Sequence, residues 1–280
     1  MRESSSRNRK EAAFEVINGA GSAPFVIVCE HASNFIPDDF IGLGLNGAGQ
    51  NAHVAWDPGA LGIARRMASV LGAPLVASRM SRLLHDCNRP PASPEAMPAQ
   101  SEEWIIPGNA GLTEKERQSR ARRFYMPFHQ AVTQLFDRFC SLDVAPALVT
   151  VHTFTPIYYG VARDVEVGIL HDSDTRLADA LLSRLIAGSM GRVIRRNEPY
   201  GPQHGVTHTL RVHALPRGLL NVMIEIRNDL VVTTAQQEAM GTWLAAALGD
   251  ALFQGTALGA EQGRQASMTP PNRTAGNALC

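Results

Sequence analysis

The sequence has no surplus of either charge. Lysine plus arginine and aspartate plus glutamate number 26 each, so the formal net charge is zero. That removes the electrostatic basis for binding nucleic acid or an anionic membrane surface. Lysine is almost absent, with only Lys10 and Lys115. An arginine excess suits two-pronged binding of carboxylates, but a GC-rich coding sequence gives the same excess. Cysteine is scarce: Cys29, Cys87, Cys140 and Cys280 form no C-x-x-C pair, which predicts reduced thiols. No apolar run approaches the roughly 18 residues that a bilayer span needs. The charged stretch Met1–Glu11 is not followed by the apolar segment of a signal peptide. A cytoplasmic protein is expected. G-x-S-x-G, the P-loop, G-x-G-x-x-G after a strand and H-E-x-x-H are all missing. Their absence weighs against serine hydrolases, phosphoryl transfer and ordinary dinucleotide binding.

A chain of 280 residues is long enough to bury a sizeable core. Residues 1–11 are polar, and the chain from 255 to 280 loses hydrophobic periodicity, so both read as flexible tails. No repeat or linker-like break lies between them, which favours a single domain over 12–254. Helical spacing begins at Pro58-Gly59 (Leu61, Ala64, Met67, Ala68, Leu71) and stops at Gly72. Thr113-Glu114-Lys115-Glu116 has the form of a capping box. The helix it starts meets Pro127, where a kink or break is expected. Further helices are expected from Asp172 or Ser173 and from Thr233 or Thr234. Strand-like runs fall at 25–29, 74–77, 147–151, 165–170, 192–195, 207–212 and 219–226. Their alternation with helices predicts an α/β fold, a three-layer α/β/α domain with a mostly parallel or mixed sheet. The stretch 88–111 is long for a connection and suits a wall or lid.

Three apolar runs end in residues that bind metals or move protons. Phe25–Cys29 runs into Glu30-His31, Ala147–Val151 into His152, and Leu219–Ile224 into Glu225. Ligands in open α/β sheets bind outside the carboxyl ends of the strands. Two imidazoles and a carboxylate converging there point to metal-assisted hydrolysis. Asp57, just before a helix, reads either as an N-cap or as an oxygen ligand. Asp86, Asn88 and Arg89 read as a solvated turn or as a carboxylate-binding group. Glu225 and Arg227 share a strand face and read as an ion pair or as site residues. His204, His208 and His213 lack a metal-binding spacing, and His85, His129 and His171 are expected to be structural.

In order, Cys29-Glu30-His31-Ala32-Ser33-Asn34, Trp56-Asp57-Pro58-Gly59-Ala60, Ser81-Arg82 with Asp86-Cys87-Asn88-Arg89-Pro90, Val151-His152-Thr153-Phe154 and Ile224-Glu225-Ile226-Arg227-Asn228-Asp229 resemble the N-formylglutamate amidohydrolase family. The resemblance runs from about Phe25 to Val232. It implies a phosphorylase/hydrolase-like fold, similar to zinc carboxypeptidases and aspartoacylase-like amidohydrolases. It further implies zinc on His31 and His152, Glu225 as general acid and base, and substrate held by Asn88 and Arg89. Arg82 and Arg227 are further candidates for a second clamp, Arg82 also for oxyanion stabilisation, and Asn34 for substrate contact. The wider group carries a Glu ligand where this chain has Asn34. The third metal ligand is therefore expected to be Asp57, with Glu30 second. The substrate implied is a small N-acyl, by preference N-formyl, acidic amino acid. The alternatives are a peptidase-like hydrolase of a small peptide or cell-wall fragment, and a non-catalytic carboxylate-binding protein. The oligomeric state is open.

Overall fold

The computed structural model describes residues 12–189 and 191–266. The main sheet has seven strands: β1 (Phe14–Ile17), β2 (Phe25–Cys29), β3 (Leu75–Ser78), β4 (Ala147–Phe154), β5 (Val167–Leu170), β6 (Ile194–Arg196) and β7 (Asn221–Arg227). Their spatial order is β1-β3-β2-β4-β7-β5-β6. The central strands β3, β2, β4 and β7 are parallel, whereas β1 pairs antiparallel with β3 and β5 antiparallel with β7; the edge strand β6 runs parallel to β5. The central strands are buried on both faces, which is why they read as near-continuous apolar runs. β1 escaped the sequence reading because it is a short, half-buried edge strand.

Helices α1 (Ala60–Leu71), α4 (Arg176–Ala187) and α6 (Thr234–Ala266) cover one face. Their apolar stripes pack on Phe25, Ile27, Cys29, Val149, Val151, Val222 and Ile224. α3 (Met126–Cys140) and α5 (His208–His213) cover the other. Phe128, Val132 and Phe139 meet Val26, Val28, Leu148 and Met223 there. Alternate residues of each strand feed opposite layers, and this gives the expected α/β/α class. No helix among the described residues is long and apolar enough to cross a membrane.

Thr113 closes a full capping box with Glu116 at the start of α2 (Glu114–Arg120). The expected break near Pro127 is a π-helical turn at Ala121–Tyr125, after which α3 begins with Pro127 in its first turn. The helical backbone runs on through this turn, and the missing Pro127 amide interrupts its hydrogen-bond ladder there. The helix expected from Asp172 or Ser173 starts later, at Arg176, because Asp172 and Asp174 turn their carboxylates onto the amides of Ser173 and Arg176. The 207–212 run, expected as a strand, is instead the helix α5. Its Thr209 amide, an orphan donor of the first turn, is taken by Asn88 Oδ1 at 3.0 Å, so a tertiary partner overrides the local strand preference. Pro202–His204 is a short 3-10 turn. α6 runs on to Ala266, past 254, where the sequence places the end of the domain. Residues 1–11 and 267–280 lie outside the described residues. Cys29 and Cys87 are free and buried. Cys140 is disulfide-bonded, which corrects the expectation of four reduced thiols: no local spacing marks such a bridge. The long 88–111 stretch is anchored. Ile106 joins a cluster with Leu43, Leu83, Leu84 and Phe124, and the buried Asn109 side chain donates to the carbonyls of Leu83 and Pro98.

A candidate metal centre at the strand ends

After β2 the chain turns out to β3 on one side, and β4 enters on the other, so the two leave a crevice between their carboxyl ends. His31 follows β2, and His152 lies in the last turns of β4. Asp57 precedes α1. The helix cap is Gly59, with no side-chain capping bond, so the Asp57 carboxylate is left for the site. Gly59 has φ +88°, and a Cβ there would stand 2.8 Å from the Val231 carbonyl oxygen. Only glycine fits the turn that aims Asp57 inward. The Asp57 amide also donates to the His31 carbonyl at 2.9 Å, tying two site segments together.

Three donor atoms converge. His31 Nδ1 lies 3.2 Å and His152 Nδ1 3.0 Å from Asp57 Oδ2, and the two Nδ1 atoms are 3.2 Å apart. All three residues are buried. The far nitrogen of each ring faces another buried carboxylate. His31 Nε2 is 2.8 Å from Asp86 Oδ1. His152 Nε2 is 3.1 Å from Glu30 Oε2, though without hydrogen-bond alignment. With Nε2 of each ring turned to its carboxylate as donor, both Nδ1 atoms would present lone pairs to Asp57. Two lone pairs and a carboxylate oxygen then point at one another, an arrangement that could hold a cation between them. A tetrahedral ion with bonds of about 2.0–2.1 Å sets its donors about 3.4 Å apart, close to the separations seen. His31, Asp57 and His152 are the group among the described residues able to hold a metal ion.

The charges around them support this. Burial alone would raise the Asp86 carboxyl, but Arg82 and His31 outweigh it and hold Asp86 well below the usual carboxylate range. Arg82 donates to Asp86 Oδ2 from Nε (3.1 Å) and from Nη2 (2.6 Å), and to Asp57 Oδ1 at 3.4 Å. It is therefore committed to two carboxylates at the rim. Glu225 is different: burial pushes its carboxyl up to about 7 against the opposing charge of His152. Its Oε2 has no hydrogen-bond partner. A carboxyl poised there can take and return a proton near neutral pH.

These residues open into a cavity of about 1180 Å³. His31, Asp57, Arg82, Asn88, Arg89, His152 and Glu225 all line it. The 88–111 stretch forms one wall through Ser93, Glu95, Gln100 and Glu102. Asn88 is already spent, donating to the Val206 carbonyl at 2.5 Å and accepting from Thr209. Arg89 is held by the His204 carbonyl and Glu95. Two residues expected at the substrate are not among the lining residues. Asn34 donates to the Gln50 carbonyl and to Asn51 Oδ1. Arg227 turns to Asp229 and to the carbonyls of Arg163 and Asp164, because it lies at the strand end beyond the crevice. Asp86 and Glu30, as partners of the histidines, and Arg163 and Tyr200, as lining groups, were not assigned these places from sequence. The Asp86 motif was visible, but nothing local marks Arg163. His85, His129, His208 and His213 gather around Tyr125 as a second histidine group, in which His129 bonds His213.

The model of the N-formylglutamate amidohydrolase family matches residues 23–232. A crystal structure of a gene product from Agrobacterium tumefaciens is 48% identical, with a TM-score of 0.85 over 88% of this chain and 97% of that one. A crystal structure of N-formylglutamate amidohydrolase from Ralstonia eutropha JMP134 is 21% identical, with a TM-score of 0.57 over 91% and 99%. A comparison with curated proteins finds no match.

Proposed function

The chain belongs to the N-formylglutamate amidohydrolase family, and from that premise we propose that it removes an N-acyl group, in our reading a formyl group, from an acidic amino acid. The class of reaction, hydrolysis of an amide bond, follows from the family. The observation that carries the finer reading is the convergence of three lone-pair donors beside a buried, proton-accepting Glu225.

Zinc held by His31, His152 and Asp57 would supply Lewis acidity, lowering the pKa of water and polarising the acyl carbonyl. Glu225 takes the proton of the attacking water and returns it to the leaving amine. The amide C–N bond breaks, a C–O bond forms at the acyl carbon, and formate and the free amino acid leave. Asp86 and Glu30 fix the ring orientation of His31 and His152. Arg82 holds Asp86 and Asp57 in place. Arg89 lines the cavity beside Asn88, paired with Glu95, and in this reading contacts the anionic amino acid.

One observation favours a second reading. The cavity volume of about 1180 Å³ exceeds the roughly 300–1,000 Å³ usual for small-molecule sites, which leaves room for a short peptide or cell-wall fragment. Purified protein should be assayed for amine release from N-formylglutamate, N-formylaspartate, N-acetylglutamate and dipeptides, before and after chelation and Zn²⁺ addition. Formate released from N-formylglutamate, lost on chelation and restored by zinc, supports the first reading. Cleavage confined to dipeptides supports the second. Protein that neither binds metal nor turns over any substrate would be the carboxylate-binding protein considered above.

A further inference from the structure

Arg163 is a cavity cation without a counter-ion. It follows a small hairpin made by Ile157–Tyr158 and Val161–Ala162. Its guanidinium sits among three rings, 4.4 Å from the centroid of Tyr158, 4.9 Å from Tyr200 and 5.6 Å from Phe154. Nη1 donates to the Tyr200 hydroxyl at 3.0 Å and to the Thr155 carbonyl at 3.3 Å. Nε and Nη2 have no hydrogen-bond partner among the described residues, and no carboxylate there lies within 4.0 Å of the group. Arg82 and Arg89, by contrast, are already paired with Asp86 and Glu95.

Aromatic rings around a guanidinium strip water from it and fix its plane. The free edge then offers in-plane donors, the geometry that a carboxylate accepts. The backbone beneath is also fixed. Arg227 Nη1 donates to the carbonyls of Arg163 and Asp164 at 3.0 and 3.3 Å, and Arg227 lies two residues past Glu225 on β7. The same strand therefore places the proton-transfer group and the cation. Tyr200, bonded to Arg163, also lies within electrostatic reach of Glu225, and all three line the cavity.

We propose that Arg163 is the receptor for a carboxylate of the substrate's amino acid, and so determines the preference for an anionic substrate. The proposal rests on the reading of the site as an N-acyl amino acid hydrolase. A carboxylate of either origin, α or side-chain, has the chemistry required.

The test compares wild type, R163Q and R163K on three substrates: N-formylglutamate, N-formylglutamine, and the α-amide of N-formylglutamate. R163Q should raise KM for N-formylglutamate roughly 10- to 100-fold, the loss of a charged hydrogen-bond pair, with kcat little changed. One mono-carboxylate analogue should show the same loss and the other none, which identifies the carboxylate; R163K should recover part of it. Equal loss on both analogues marks a structural role and overturns the proposal, as does an unchanged KM for N-formylglutamate. If the wild type turns over none of the three, the reading of the site falls, and calorimetric binding of glutarate decides for Arg163 alone. Weaker binding to R163Q by a similar factor supports the receptor, and equal binding overturns it.

Discussion

Glu225 stands directly across the β4–β7 ladder from His152, the two residues paired in register. Neighbouring strands are about 4.8 Å apart, so two segments far apart in sequence bring a carboxyl to the edge of the metal-binding group with no loop to position it. The same strands bury both residues. Burial raises the Glu225 carboxyl to about 7, while the Glu30 and Asp57 carboxylates favour the charged form of His152 against its burial. A rigid sheet is a better platform for such a pair than a loop.

Replacing Glu225 with glutamine keeps the shape and removes the proton acceptor. The expected loss in kcat is about 10²–10⁴-fold, the range of general acid–base catalysis. Metal content should stay at the wild-type level, because Glu225 is not one of the three converging donors. Steady-state kinetics with metal analysis of the same preparation checks both. Wild-type kcat in E225Q would remove Glu225 from the mechanism.

His31, His152 and Glu225 were legible in the sequence because an apolar strand that ends in a charged or imidazole side chain needs a reason. Asp57 was legible only through its neighbours, since its place before a helix also suits a cap, and it took the Gly59 cap to free the carboxylate. The helical state of His208–His213 was not legible. Thr207, Thr209 and Val212 alternate like a strand, and the partner that decides for helix, Asn88, is more than a hundred residues away. Arg163 was hidden for the same reason: three rings from separate segments make its environment.

The proposed site takes its third donor from Asp57 rather than Glu30 or Asn34, and metal content tests the choice. Asp57→Ala should lose tightly held metal after dialysis. Asn34→Ala should retain it, because Asn34 is bonded to Gln50 and Asn51 outside the cavity. Metal retained by D57A but lost from N34A would reverse the assignment.

In the proposed site, Asp86 and Glu30 would act on the metal through the rings they orient. Asp86→Asn and Glu30→Gln should each weaken metal affinity about 10–100-fold without abolishing binding, the usual effect of such outer carboxylates. Competition with a chelator of known affinity measures this. If either variant binds metal as tightly as wild type, the corresponding carboxylate does not tune its histidine.

The separate histidine group makes folding stability depend on pH. His129 Nε2 donates to the Cys87 carbonyl at 2.8 Å, so its Nδ1 accepts from His213 Nε2 at 2.7 Å. A further proton on His129 would set two N–H groups face to face. Burial holds His85, His129 and His208 down to about 4 and His213 to about 3, while unfolded histidine titrates near 6.5. Between those values the unfolded chain binds more protons than the folded one, so acid favours unfolding. The stability is full above about pH 6.5 and is lost as pH falls towards 4, at about 1.4 kcal/mol per pH unit for each proton difference. The half-buried His208 should contribute less than the others. The Tm by calorimetry should therefore fall steadily from pH 7 to pH 5. His213→Gln keeps a donor towards His129 but removes one titrating ring, so its Tm should fall less steeply over the same interval. Protonation of His31 and His152 is common to both proteins and cancels in the comparison. Equal slopes would show that His213 takes up its proton in the folded state as readily as in the unfolded one.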